Sequence, residues 1–422
     1  MNPSPIILPD DLIAELLSFL PVKYLLRFKC VSKSWRTLIS DSAFVKLHLK
    51  RSATQNPMFA LIMLRLKIIP VESPNGYDED YDRGSSVVPY TISTLLDSPS
   101  FALFANPYYH VENKGCFNAV GSCNGLILLA GGSFMGPRKE YWFRLWNPAT
   151  KTISEKIGYF CDFINQCFRF EFGFDDSTNT YKVVASRYIN QLKIEVRIFS
   201  INDDVWRNIE SFPVVPLHLD YGGFYINKYD YSGVYLNGAV NWLAIHSNIR
   251  YHSLTNKNIT NNKDIAVEDF VIVSLDLKTE TYNQYPLPCG FDEVPLTEPT
   301  IGVLGGYLCF SYSVKGIDFV IWQMKKFGVQ DSWIQFLKIS YQNLEIDYAF
   351  SDYKKYHFQL KPLLLFEDRD TLMLKSNRDA RVFLYNWRDN RVQRIQITTS
   401  RTRDYLGWDC VKDYVESLVP VN

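Results

Sequence analysis

Downstream of residue 140 the chain repeats one local pattern five times: an apolar strand, a polar turn, then a strand bearing an aromatic or apolar anchor. The copies occupy residues 144–153, 196–206, 272–282, 320–333 and 382–392. Between them lie complementary apolar runs entered through Gly, Asn or other polar turns, at residues 124–129, 181–185, 237–243, 305–310 and 371–374. Short apolar runs bounded by turn residues read as strands, so each repeat holds about four of them. With Asn147, Asn202, Asp276, Met324 and Asn386 as markers, the spacings are 55, 74, 48 and 62 residues. The longest contains a polar insert around residues 246–264.

Without that insert the period is about 50 to 60, close to the roughly 50 of kelch-type propeller blades. A radial array suits such a sequence, because each four-stranded sheet buries both faces against its neighbours and leaves only short edges. The composition agrees: 47% of residues are apolar and 15% aromatic, with 27 Tyr and 28 Phe, which favours strands and fills a large core. Residues 58–66 and 87–96 would supply a sixth blade, closed by a late strand such as 414–418. The expected architecture is therefore a small all-α unit followed by an all-β domain, a β-propeller of about six blades. Seven blades is the nearest alternative, and a two-sheet sandwich is the competing architecture.

Before residue 50 the period is helical. Pro9 suits a first helical turn, and Asp10 and Asp11 sit at the positive end of the dipole. Leu12, Leu16 and Leu20 follow at i, i+4 and i+8, widened by Ile13, Leu17 and Phe19, until Pro21 stops the segment. A second helix carries Tyr24, Leu25, Leu26 and Phe28. Ser32 can cap a third with Trp35, Leu38 and Ile39, and Asp41 or Ser42 a fourth with Phe44, Val45 and Leu47. A unit of about 40 residues is too small to enclose all these side chains against itself. Either the rest of the chain covers the surplus, or another protein does.

The string Leu8-Pro9-Asp10-Asp11-Leu12, Leu16 through Lys23, Leu25 through Trp35, then Leu38 through Asp41 and Phe44-Val45 closely resembles the F-box of plant proteins. Residues 121–126, 145–150 and 172–184 resemble the F-box-associated domain of the same proteins. The resemblance implies a three-helix F-box over 1–50 that inserts Leu and Pro side chains into a Skp adaptor, which binds a cullin. It implies a propeller over 51–422 that recruits a protein target for ubiquitination and proteasomal degradation. On motif position the adaptor contacts would be Leu8, Pro9, Leu12, Leu16, Leu20, Pro21, Leu25, Leu26, Val31 and Trp35, with Val31 and Trp35 also readable as internal core. The alternative is a glycan- or ligand-binding F-box propeller acting outside a ligase.

Other classes find little support. Lys+Arg and Asp+Glu are both 45, so no overall charge draws the chain to nucleic acid or to a membrane. The six histidines show no metal-type spacing, and no Gly-x-Ser-x-Gly or phosphate-binding loop occurs. The Gly131–Gly136 run, which lacks the Lys that grips phosphate, reads as a blade turn. No cofactor, metal or catalytic residue is expected. The eight cysteines never form Cys-x-x-Cys and read as buried reduced thiols. Met1 to Leu8 lack a signal-peptide pattern, so the expectation is a soluble intracellular protein, cytoplasmic or nuclear. Three loops or runs could touch a target but also read as plain solvated surface: the acidic residues 72–82, the insert 246–264, and Arg378, Arg381, Arg388, Arg391, Arg394, Arg401 and Arg403.

Overall fold

The computed structural model describes residues 9–55, 59–68, 81–91, 96–97, 100–102, 110–163, 168–190, 193–217, 233–246, 266–295, 297–344, 359–376, 382–398 and 404–421. Four helices come first: α1 (Asp10–Leu17), α2 (Val22–Phe28), α3 (Lys33–Ser40) and α4 (Ser42–Gln55). Pro9 caps α1 from outside, its carbonyl accepting the N–H groups of Leu12 and Ile13 at 3.0 and 3.1 Å. Ser32 Oγ accepts the Trp35 N–H at 3.1 Å and starts α3. The resemblance implied three helices; a fourth forms because Asp41 Oδ1 accepts the N–H groups of Ala43 and Phe44 at 2.8 and 3.3 Å. No described helix is long and apolar enough to cross a membrane.

The strands follow as β1 (Phe59–Ile68), β2 (Tyr81–Thr91) and β3 (Ser100–Ala102). Blade one contains β4 (Asn118–Cys123), β5 (Leu126–Met135), β6 (Arg138–Asn147), β7 (Thr152–Ile153) and β8 (Ile157–Phe163). Blade two contains β9 (Arg169–Asp175), β10 (Thr180–Asn190), β11 (Lys193–Ser200) and β12 (Val205–Asn208). Blade three contains β13 (Val215–Pro216), β14 (Val234–Leu236), β15 (Ala239–Ile245), β16 (Phe270–Asp276) and β17 (Tyr282–Pro286). Blade four runs through β18 (Thr300–Leu304), β19 (Tyr307–Val314), β20 (Asp318–Met324) and β21 (Trp333–Ser340). Blade five runs through β22 (Leu360–Phe366), β23 (Thr371–Ser376), β24 (Val382–Asn386) and β25 (Arg391–Arg394). After β26 (Gln396–Thr398), which pairs in parallel with β3, the final strand β27 (Asp404–Tyr414) pairs antiparallel with β1 and forms blade six, β2-β1-β27.

The inner strands close a circle: β4 lies against β9, β9 against β14, then β18, β22 and β27, and β27 returns to β4. The closing strand is 404–414 rather than 414–418. Residues 415–421 leave the sheet as a tail, and blade six has three strands among the described residues rather than four.

Period-two alternation explains why the cores sit between blades. On β5, Leu126 and Leu128 join Phe172, Val183 and Phe199 of blade two, while Ile127 and Leu129 join Val87 and Tyr414 of blade six. On β10, Val183 faces blade one and Val184 packs with Val240, Trp242 and Val273 of blade three. With both faces covered, every residue of β15 is buried, so such strands read as continuous apolar runs. Gly131 to Met135 belong to β5 rather than to a turn. A Cβ on Gly131 would meet the Trp142 ring nitrogen at 2.1 Å, so glycine is required by packing.

Four of the five repeat markers end third strands, Asn202 lying two residues past β11, and three of them share one turn chemistry. Asn147, Asp276 and Asn386 each use Oδ1 to accept two backbone N–H groups two and three residues on, at 2.7 to 3.2 Å. In each case the residue four positions on has positive φ: Lys151, Glu280 and Asn390. Met324 has no oxygen to offer. There the turn is longer, and Ser332 Oγ takes the Lys326 N–H at 3.0 Å.

Blades two and three are joined by buried charge. Lys182 Nζ lies 3.1 Å from Asp175 Oδ2 and 3.1 Å from Glu280 Oε1, and it donates to the Leu277 carbonyl, while Arg207 also pairs with Glu280. Burial pushes the Asp175 carboxyl up, but hydrogen bonds from Ser177, Thr178 and Lys182 prevail and hold it well below the usual carboxylate range. A depressed carboxyl contributes stability above its unfolded value, about 3.9, and loses it as pH falls toward the folded one. Asp175→Asn, which leaves the Lys182 ammonium short of a partner, is expected to cost about 3 kcal/mol at pH 7 in urea unfolding. The deficit should narrow as pH falls below about 4.

Candidate functional site: the helical N-terminus and its tether

The helices have their own core of Leu17, Val22, Leu25, Ile39, Phe44 and Val45, completed by Leu418 of the tail. α4 is tied back to α1 by Arg51, which pairs with Glu15, donates to Ser18 Oγ at 2.8 Å and stacks 4.2 Å from the Phe19 ring. His48 Nε2 bonds the Leu20 carbonyl at 3.0 Å. Burial lowers the His48 pKa, and that hydrogen bond only partly opposes the shift.

Closing this core turns one side of α1 outward. Leu12 is 50% and Leu16 61% exposed, and Phe19 continues the i, i+4, i+7 stripe. Tyr24 is exposed too, and Val31 is 66% exposed, so it is not core. Pro9 is exposed; Leu20, Pro21, Leu26 and Trp35 are half-buried, Trp35 resting edge-on against Phe28 at 5.1 Å. Leu25 has no exposed surface and belongs to the helical core, away from the uncovered side. Leu8 lies outside the described residues. Sequence reasoning placed Phe19 on the apolar face with Leu12 and Leu16 but left both Phe19 and Tyr24 out of the adaptor contacts. The signal for Phe19 was its place three residues after Leu16.

The tail fastens this unit to blade one. Glu416 Oε2 accepts the Val22 N–H at 3.3 Å, and Leu418 enters the helical core, with Val419 and Ala149 packed beside it. Asn147, whose oxygen holds its turn, uses Nδ2 to donate to the Ser417 and Val419 carbonyls at 3.0 and 2.9 Å. Gly125 lies so near that a Cβ would stand 2.4 Å from Ser417 Oγ. The helices therefore sit at the end of blade one that holds the β4–β5 and β6–β7 turns.

Other sequence candidates do not gather. Arg391 and Arg394, three apart on β25, point to opposite faces, and Arg388 pairs with Asp370 at 3.0 Å. Arg378, Arg381, Arg401 and Arg403 lie outside the described residues, as do residues 69–80 and 247–265. Cys116, Cys123 and Cys309 are buried free thiols; burial pushes Cys123 up to about 12. Cys30, Cys161 and Cys289 are exposed, contrary to the expectation of burial.

Comparison with known proteins agrees with the geometry. The profile of the F-box domain matches residues 6–47, and that of the F-box associated beta propeller domain matches residues 85–421. A four-helix unit bearing an uncovered apolar stripe and carrying a closed ring of sheets is thus an F-box joined to a propeller. The chain belongs to the F-box-associated β-propeller family. An F-box/kelch-repeat protein of Arabidopsis thaliana is 31% identical over 349 residues, covering 80% of each chain. The F-box protein CPR1 of Arabidopsis thaliana is 24% identical over 439 residues, covering 98% of this chain and 87% of the other. Among solved structures, the periplasmic gluconolactonase of Pseudomonas aeruginosa overlaps 79% of this chain and 82% of its own, at 8% identity and a TM-score of 0.39.

The tether has a measurable pH signature. Burial raises the Glu416 carboxyl, and the Val22 N–H opposes this only in part, so the ionised form is disfavoured in the fold. A raised carboxyl costs stability once ionised and costs nothing below its unfolded value, about 4.3. Glu416→Gln keeps an oxygen for Val22. Its thermal midpoint is expected to exceed that of the unsubstituted protein at pH 7, with the gap closing below about pH 4.

Proposed function

We propose that this protein is a non-catalytic substrate receptor of a Skp–cullin–F-box ubiquitin ligase. The helices dock on a Skp adaptor, the adaptor binds a cullin, and the propeller holds a target protein for ubiquitination. The carrying observation is the outward stripe of Leu12, Leu16 and Phe19, with Tyr24 and Val31 also exposed, on a unit whose Leu17, Val22, Leu25, Ile39 and Phe44 are enclosed. Water-facing leucines aligned on one helical face are what a partner surface would cover. The proposed contact set is Pro9, Leu12, Leu16, Leu20, Pro21, Leu26, Val31 and Trp35, extended by Phe19 and Tyr24, with Leu8 included on motif position alone. Such a role belongs in the cytoplasm or nucleus.

Burying a leucine completely yields about 1.5–3 kcal/mol, so the exposed half of Leu12 or Leu16 offers on the order of 1 kcal/mol. Single truncations are therefore mild, whereas an unpaired carboxylate in the joint costs several-fold more. Leu12→Asp and Leu16→Asp are each expected to reduce co-purification with recombinant Skp adaptor more than tenfold. Limited proteolysis should find the propeller intact in both. Undiminished adaptor recovery with either variant would overturn the docking assignment.

A further inference from the structure

The face of blade one that packs against blade six does not end where blade six ends. Along β5 and β6 the paired residues Ile127–Trp146 and Leu129–Arg144 lie low on this face, with Ile127, Leu129 and Trp146 in the core shared with Val87 and Tyr414. Higher up, the same face continues through the buried pair Gly131–Trp142 and the half-buried pair Ser133–Glu140, and it emerges into solvent at Met135–Arg138. The extra strand β8 widens it, setting Phe163 opposite Arg138 and Cys161 opposite Glu140. Met135 is 57% exposed, Tyr159 54% and Phe163 52%, an unusual amount of uncovered apolar surface for one sheet face.

Charge is set into this surface in a fixed order. Arg138 is exposed between Met135 and Phe163, its guanidinium 4.8 Å from the Phe163 ring centre. Lys156 is exposed, with its ammonium 3.9 Å from the ring centre of Trp142, whose other neighbour is Tyr159 at 5.9 Å. No carboxylate pairs with Arg138 or Lys156 among the described residues. Between the two cations stands Glu140, half-buried and accepting the Ser133 hydroxyl at 3.1 Å. The order along the face is plus, minus, plus, spread over about 13 Å from the Arg138 row to the Trp142 row. A continuous phosphate backbone would meet Glu140 with like charge, whereas an extended peptide can alternate. Side chains at i, i+2 and i+4 of such a peptide share one face and span the same length.

We propose that this face binds an extended acidic segment of the target protein, with carboxylates at i and i+4 meeting Arg138 and Lys156 and a hydrogen-bond donor at i+2 meeting Glu140. The proposal rests on the receptor reading and names its target-binding surface. The placement fits that role: the β5–β6 hairpin carries the tethered helices at its Gly125 and Asn147 end and this face toward its Met135–Arg138 end. The ten residues of β5 separate the two ends by about 30 Å. Aromatic and aliphatic flanks remove water from the cations and strengthen each ion pair beyond its worth on open surface.

The test uses the full chain with its adaptor and a fluorescein-labelled decapeptide pool carrying Glu at positions four and eight, Ser at six and random residues elsewhere. A matched pool with Lys at four and eight, and decauridylate, serve as comparisons in fluorescence polarisation. The Glu pool is expected to bind at least tenfold more tightly than either, with affinity falling as salt rises. Arg138→Glu and Lys156→Glu should each remove that preference, and Phe163→Ala should weaken the Glu pool severalfold. Equal binding of the two peptide pools, preference for decauridylate, or an unchanged preference in Arg138→Glu would each overturn the proposal. Adaptor co-purification is read on the same variants. Its loss in the unsubstituted protein would count against the receptor reading, while its retention in Arg138→Glu confines any effect to this face.

Discussion

Antiparallel pairing of β1 with β27 is the constraint on which the remaining architecture depends. It joins a strand that directly follows the helices to one that directly precedes the tail, and so closes the ring. Because both ends of the chain meet in one blade, helices and tail leave the ring side by side. The tail can then reach Val22 with Glu416 and the helical core with Leu418. Without that closure the blade faces at Val87 and Tyr414 would be open, and the helices would hang on an unfastened linker.

Much of this was legible in the sequence, for identifiable reasons. Three of the five markers, Asn147, Asp276 and Asn386, could be found because a turn that returns two N–H groups to one side chain needs a short polar residue at a fixed place. Helix caps at Ser32 and Asp41 follow the same logic. Blade six was legible only in outline: its strands come from opposite ends of the chain, so no marker repeats within it and its closing strand was placed ten residues late. β8 was missed because Ile157 to Phe163 alternates too irregularly, with a positive-φ Gly158 as its second residue and a register shift against β6.

The helical face shows the limit of periodicity. A period of 3.6 identifies which residues share a side, but on a seven-residue helix such as α2 it does not tell the inner side from the outer. Leu25 and Leu26 are neighbours of the same type, yet one is sealed and the other half-open, in a core that also takes in Leu418 from nearly four hundred residues away. The tether itself was invisible for the same reason. Asn147 reads as one more turn marker, and only the fold reveals that its amide group holds the tail.

Ring closure by distant partners also shapes how the protein is made. β2 pairs with β1 soon after synthesis, but the other edge of β1 waits for β27, about 340 residues later. At ~5–20 residues per second that edge stands unpaired for roughly 20–70 s on the ribosome. An unsatisfied strand edge held open for so long invites pairing with other nascent chains, so yield in the cell should depend on chaperones that shield it until translation ends.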